Sequence, residues 1–108
     1  MYFRSMTVAD LDDVMKIEAA AFASPWSRQF FFEELRATSA RSILCQGDGG
    51  PIGYVVYWEL VGELDIHNVA VHPNYRRRGV ARSMLNGIFE SATKRGCHRV
   101  LLEVRRSN

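Results

Sequence analysis

No stretch of this 108-residue sequence holds the ~20 consecutive apolar residues that a bilayer-crossing helix requires, the longest runs being Tyr54 to Trp58 and Ala19 to Ala23. Met1 is not followed by the pattern of a secretory signal, so a cytoplasmic location is the expectation. Cysteine is scarce as well. Cys45 and Cys97 are too few for a disulfide framework, and they lack metal-ligand spacing with His67, His72 or His98, so no metal is expected and both read as buried free thiols. There is no Gly-x-x-x-x-Gly-Lys-Ser/Thr string, which disfavours a nucleoside-triphosphate P-loop. Internal repeats, low-complexity segments and interdomain linkers are also missing.

What is present is the balance of an ordinary folded chain, 47% hydrophobic and 24% charged. A chain of this length forms one domain, residues 1–108, and removes roughly two thirds of its unfolded surface from water. The net charge is only +2, yet Arg76, Arg77, Arg78 and Arg82 lie within seven positions, and Lys94, Arg95, Arg99, Arg105 and Arg106 follow. That local density says more about a partner than the total does.

Tyr2 to Met6 is short and β-prone, and Thr7 with Asp10 has the capping-box arrangement, so a helix should start at Val8. Leu11, Val14, Met15, Ile17, Ala21 and Phe22 then recur at helical spacing, with Glu18 on the edge of the stripe. Ser24-Pro25-Trp26-Ser27 interrupts the pattern, and Ser27 can cap a second helix over Arg28 to Ala37. Ser42 to Gln46, Ile52 to Val61 and Leu64 to Val71 read as strands. Gly47 to Pro51 is a loose hairpin connection and Val61-Gly62-Glu63 a tight one, so these strands should be antiparallel neighbours. Val80, Met84, Leu85, Ile88, Phe89 and Ala92 mark a helix ending at Gly96, and Arg99 to Val104 returns to strand character. The order is β-α-α-β-β-β-α-β, an α/β (α+β) fold with a mixed, mostly antiparallel sheet flanked by helices.

The informative stretch runs from Asn68 to Arg82, where a strand turns at His72-Pro73 and enters a helix through Arg76-Arg77-Arg78-Gly79-Val80-Ala81-Arg82. The first N–H groups of a helix lack internal partners and its dipole is positive there, so a phosphate can accept several hydrogen bonds. Gly79 and the small Ala81 let backbone approach the anion, while the arginines add charge and directed donors. The bland alternatives for the arginines alone are a solvated basic face or a nucleic-acid patch.

Arg76-Arg77-Arg78-Gly79-Val80-Ala81 resembles the Gln/Arg-x-x-Gly-x-Gly/Ala signature of the GNAT superfamily of acetyl-CoA-dependent N-acetyltransferases. Pro25-Trp26-Ser27, the run from Asn68 to Tyr75, and the run from Leu102 to Asn108 are similar to one branch, the RimI-type ribosomal-protein-alanine N-acetyltransferases. The likeness spans nearly the whole chain. It implies that Val69, Ala70 and Val71 present backbone groups to the acetyl and pantetheine part of acetyl-CoA, and that Arg77, Arg78, Gly79, Val80, Ala81 and Arg82 hold its pyrophosphate. It also implies that Glu103 is the general base and that Asn108 contacts the cofactor.

The residue types suit that chemistry. An α-amino group has a pKa of ~7.7–8.0, so it is largely protonated at neutral pH and must lose a proton before attacking the thioester. A backbone N–H from the Val69 to Val71 strand can stabilise the resulting oxyanion, and direct transfer in a ternary complex needs no covalent enzyme intermediate. Without the resemblance, Glu103 reads as a strand-end carboxylate paired with Arg105 or Arg99. His67 is a candidate second proton carrier whose default reading is structural. Trp26 and Tyr75 read as core-covering aromatics that are candidates for substrate or cofactor contact. Glu18 is a similar candidate, whose default reading is a solvated helix edge.

The sequence departs from the family it resembles at Asn108, where that family continues into a helix and closing strands. The resemblance places the Tyr that protonates the departing thiolate in that continuation, so the domain reads as incomplete at its C-terminus. An open edge beside Arg99 to Val104 is expected to pair with another chain, as a homodimer or swapped assembly. The leading expectation is an N-acetyltransferase acting on the N-terminal amine of a protein, such as a ribosomal protein. A non-catalytic acyl-CoA-binding module and an RNA-binding domain are the alternatives, the last weakened by the lack of an aromatic series suited to stacking bases.

Overall fold

A computed structural model of the chain describes residues 1–103. The first strand, β1 (Tyr2–Ser5), leads into a 3-10 turn over Val8–Asp10 and then α1 (Leu11–Ala21). Asp10 accounts for that start, because its carboxylate accepts the Thr7 N–H at 2.8 Å and satisfies a donor at the helix entrance. The helix expected from Val8 therefore begins as a tighter first turn and becomes α-helical at Leu11. Ser27 caps α2 (Arg28–Arg36) as anticipated, its hydroxyl accepting the Phe30 N–H at 3.1 Å.

Four further strands, β2 (Ala40–Gly47), β3 (Gly50–Leu60), β4 (Glu63–Val71) and β5 (Arg99–Leu102), join β1 in one sheet of order β1-β2-β3-β4-β5. Pairing is antiparallel from β1 to β4, and β5 runs parallel to β4. A parallel return needs a crossover, which α3 (Val80–Lys94) supplies. The order of elements matches the sequence expectation. One connection does not: Gly47 pairs with Gly50, so the supposedly loose loop is a tight hairpin with only Asp48 and Gly49 between the strands. Gly50 makes this feasible with φ at +126°, a value other residues rarely adopt.

Both faces of the sheet are covered. On one, Leu11, Val14 and Ile17 of α1 and Phe31 of α2 pack over Leu44, Tyr54 and Val56. On the other, Met84, Ile88 and Ala92 of α3 pack over Val55, Tyr57 and Leu64. Cys45 is buried as expected, whereas Cys97, just beyond the end of α3, is only partly covered. No helix among the described residues is long and apolar enough to cross a membrane.

The irregularity that shapes the site lies in β4. Tyr57 pairs with Ile66 and Val56 with Asn68, which leaves His67 as an extra residue, a β-bulge. Leu64 and Ile66 consequently face α3 while Ala70, three pairs further on, faces α1. β5 keeps register with β4 only from Glu63↔Arg99 to Ile66↔Leu102, and the Glu103 N–H donates to the Ile66 carbonyl at 3.2 Å. It is shorter than the strand expected over residues 99–104, and residue 104 lies outside the described residues. Beyond Ile66 the free side of β4 has no strand neighbour among the described residues.

Candidate functional site

The His72 N–H donates to the Ile52 carbonyl, so alternation turns the backbone groups of Ala70 towards β3 and those of Val69 and Val71 towards the open side. The three residues named from sequence thus divide. Val69 and Val71 offer N–H and C=O groups to an extended ligand, and Ala70 spaces them with its side chain in the core. The strand is held in place by Glu18, which is fully buried and not on a solvated edge as the sequence suggested. Its carboxylate accepts from Asn68 Nδ2 at 2.8 Å, from the Trp26 N–H at 2.7 Å and from the Tyr54 hydroxyl. Trp26, a candidate contact residue, packs its ring on Phe30 and Phe31.

After β4 the chain makes a 3-10 turn over Pro73–Tyr75, fixed by His72 Nδ1 accepting the Asn74 N–H at 3.1 Å. Arg77 then has φ of +63° and Gly79 φ of +75°. A non-glycine residue in the left-handed region is uncommon, and such strain gathers where loops hold ligands. Gly79 is the N-cap of α3, and a Cβ there would meet nothing within 4 Å, so the space over the helix entrance is open. The first backbone bond of the helix is the Ser83 N–H to the Gly79 carbonyl. The N–H groups of Val80, Ala81 and Arg82 therefore have no acceptor among the described residues.

Above these donors is a cleft of about 420 Å³, lined by Val71, Tyr75, Arg76, Arg77, Gly79, Val80, Ala81 and Arg82. None of the arginines at 76, 77, 78 and 82 makes an ion pair among the described residues, whereas Arg4, Arg28, Arg95 and Arg99 all do. Unneutralised cations beside free amides are the donor set that a diphosphate requires, so the residues present fit the pyrophosphate of acetyl-CoA. Arg78 departs from the expected arrangement. Its guanidinium lies 5.3 Å from the centre of the Tyr75 ring and lines a neighbouring hollow with Asp48 and Met1. Arg76, which the motif made a signature position and not a ligand, lines the cleft instead.

Glu103 is exposed at the end of β5, beside the β4 bulge. Arg99, one partner proposed for it, pairs with Glu63 at 3.5 Å, so the Glu103 carboxylate has no ion pair among the described residues. Asn108 lies outside the described residues. The wedge between the end of β5 and the second half of β4 thus places a carboxylate with no ion pair among the described residues next to strand amides that face no neighbouring strand there, and the arginine cleft adjoins the far end of the same strand through Val71.

Residues 11–108 match the acetyltransferase (GNAT) family. A Bacillus subtilis (strain 168) protein, provisionally named a ribosomal protein bS18-alanine N-acetyltransferase, is 33% identical over 97% of this chain and 70% of its own length. The ribosomal protein bS18-alanine N-acetyltransferase of Escherichia coli (strain K12) is 32% identical over 96% of this chain and 70% of its own length. Among solved structures, the ribosomal-protein-S18-alanine N-acetyltransferase of E. coli superposes with a TM-score of 0.89 at 29% identity, covering 99% of this chain and 68% of that one.

Proposed function

Since the chain belongs to the GNAT family of acetyltransferases, we propose that it transfers acetyl from acetyl-CoA to the N-terminal amine of a protein, the alanine terminus of a ribosomal protein of the bS18 kind. The amides of Val80, Ala81 and Arg82, open over Gly79 and, like the arginines flanking them, without an acceptor or ion pair among the described residues, are the observation that carries this reading. When bound, acetyl-CoA supplies an acetyl group already activated as a thioester.

Every other contribution comes from the chain. Arg76, Arg77 and Arg82 with the α3 amides bind the pyrophosphate, and Arg78 acts through its stack on Tyr75 by holding the turn. Val69 and Val71 hydrogen-bond the pantetheine arm as an added strand would, and one of their N–H groups is placed to donate to the acetyl oxygen as negative charge builds there. Glu103 accepts a proton from the incoming ammonium, directly or through water. The wedge at the end of β5 admits the acceptor from the sheet edge. Asn108 retains the cofactor contact that the resemblance implies for it.

Titrating acetyl-CoA by calorimetry, while assaying thiol release with a peptide that begins with alanine, tests this directly. Saturable binding with peptide-dependent thiol release is the expected result. Binding without release would favour a non-catalytic acyl-CoA-binding module, and absence of binding would overturn the assignment of the cleft.

A further inference from the structure

We propose that His67, held by Glu34, is a second proton acceptor for the reacting amine, working beside Glu103; this rests on the acetyl-transfer reading above. His67 is the bulge residue of β4, at the point where β5 ends and the wedge opens. Its Nδ1 lies 2.9 Å from Glu34 Oε1 on α2, and the Trp58 indole N–H donates to the same oxygen at 3.2 Å. A carboxylate oxygen only accepts, so Nδ1 carries the hydrogen, and in the neutral ring Nε2 keeps the lone pair. No described residue bonds to Nε2. The ring also packs 5.1 Å from Trp58, and its side chain remains 19% exposed against 10% for Glu34, so it is fixed yet reachable.

The other two histidines behave differently. His72 uses Nδ1 as an acceptor to cap a turn, and His98 packs against the hairpin at Gly62. Of the three histidines, His67 alone has a hydrogen-bonded carboxylate among the described residues, which is the arrangement that orients a general base.

The stoichiometry gives such a group work. An ammonium nitrogen loses two protons as it becomes an acetamide nitrogen: one before attack, and one as the N–C bond forms and the C–S bond breaks. The departing thiolate takes up one proton and the other passes to solvent, so two removals from nitrogen occur beside one residue expected to accept. Glu103 takes one and His67 the other, releasing it to water. Glu34 from α2 and Trp58 from β3 contact the His67 ring; Glu103, at the end of β5, is tied by its backbone to the adjacent Ile66, and Glu18 of α1 bonds the adjacent Asn68.

The test uses the whole chain, acetyl-CoA and an alanine-initiated peptide. His67→Gln should lower kcat about ten- to a hundredfold and change the acidic limb of the pH–rate profile, with unchanged calorimetric affinity for acetyl-CoA. Glu34→Gln leaves the imidazole in place and should lower kcat less, with nitrogen-resolved NMR showing His67 moving from a single Nδ1–H tautomer to a mixture. It carries the test if His67→Gln does not fold. Turnover and pH profile unchanged in both variants would overturn the role of His67 alone. No turnover by the unaltered chain would overturn the proposed function and this inference with it.

Discussion

Asp10 shows how much one side chain can do at the edge of the core. The Arg4 guanidinium grips its two oxygens at 2.7 and 2.9 Å. That bond, aided by the Thr7 N–H and opposed by burial, holds the carboxyl near pKa 2, below its ordinary 3.8. A folded-state pKa below the unfolded one stabilises the fold at pH above about 3.8, and the contribution fades as pH falls through about 2. The linkage amounts to about 2 kcal/mol at neutral pH. Asp10→Asn should lose about that much at pH 7 and show a shallower decline in stability between pH 4 and pH 2, read by urea unfolding across that range. Parallel curves for the two proteins would show that Arg4 does not hold the charge. Gly79 is decisive for a different reason: at φ of +75° with open space above it, Gly79→Glu strains the backbone by about 1–2 kcal/mol. The fold should survive, while the added carboxylate abolishes acetyl-CoA binding; unaltered affinity by calorimetry would place the phosphates elsewhere.

At the scale of elements, α2 offers the cleanest test, because Ser27 is its cap and the Phe30 N–H has that hydroxyl as its acceptor. Ser27→Ala should cost about 1 kcal/mol in denaturant unfolding, and a loss below a few tenths would mean that packing of Phe31 alone fixes the helix start. The helices were legible in sequence because an apolar stripe and its caps are local signals, and the GNAT-like turn was legible because its glycine and arginines are contiguous. What escaped detection was not local. A bulge at His67 leaves the two-residue alternation of Leu64, Ile66 and Ala70 intact along the chain while reversing which face they bury, so no pattern in the string betrays it. The same holds for Glu34 and His67, whose contact joins residues 33 positions apart. The resemblance put Arg78 on the pyrophosphate with its neighbours, and its stack on Tyr75, beside an adjoining hollow, is a contact the string does not display.

Across the molecule, Glu18 ties the helical layer to the strand that forms the site. Read as a helix edge, it is instead a buried carboxylate where α1, the Trp26 turn, β3 and β4 converge through hydrogen bonds. Hydrogen bonds to a buried charge are worth more than neutral ones, about 1.5–3 kcal/mol each, and their removal exposes the cost of burying the donors. Glu18→Ala should therefore destabilise the chain by about 3 kcal/mol or more by urea unfolding. Glu18→Gln keeps one acceptor oxygen and should lose less. The stronger test is coupling: if Glu18 positions β4 through Asn68, the losses from Glu18→Gln and Asn68→Ala should fail to add by at least about 0.5 kcal/mol in a double-mutant cycle. Each single variant should also weaken acetyl-CoA binding, since Asn68 adjoins Val69 on the open edge. Additive losses with unchanged binding would mean that the carboxylate stabilises the core without setting the geometry of the strand.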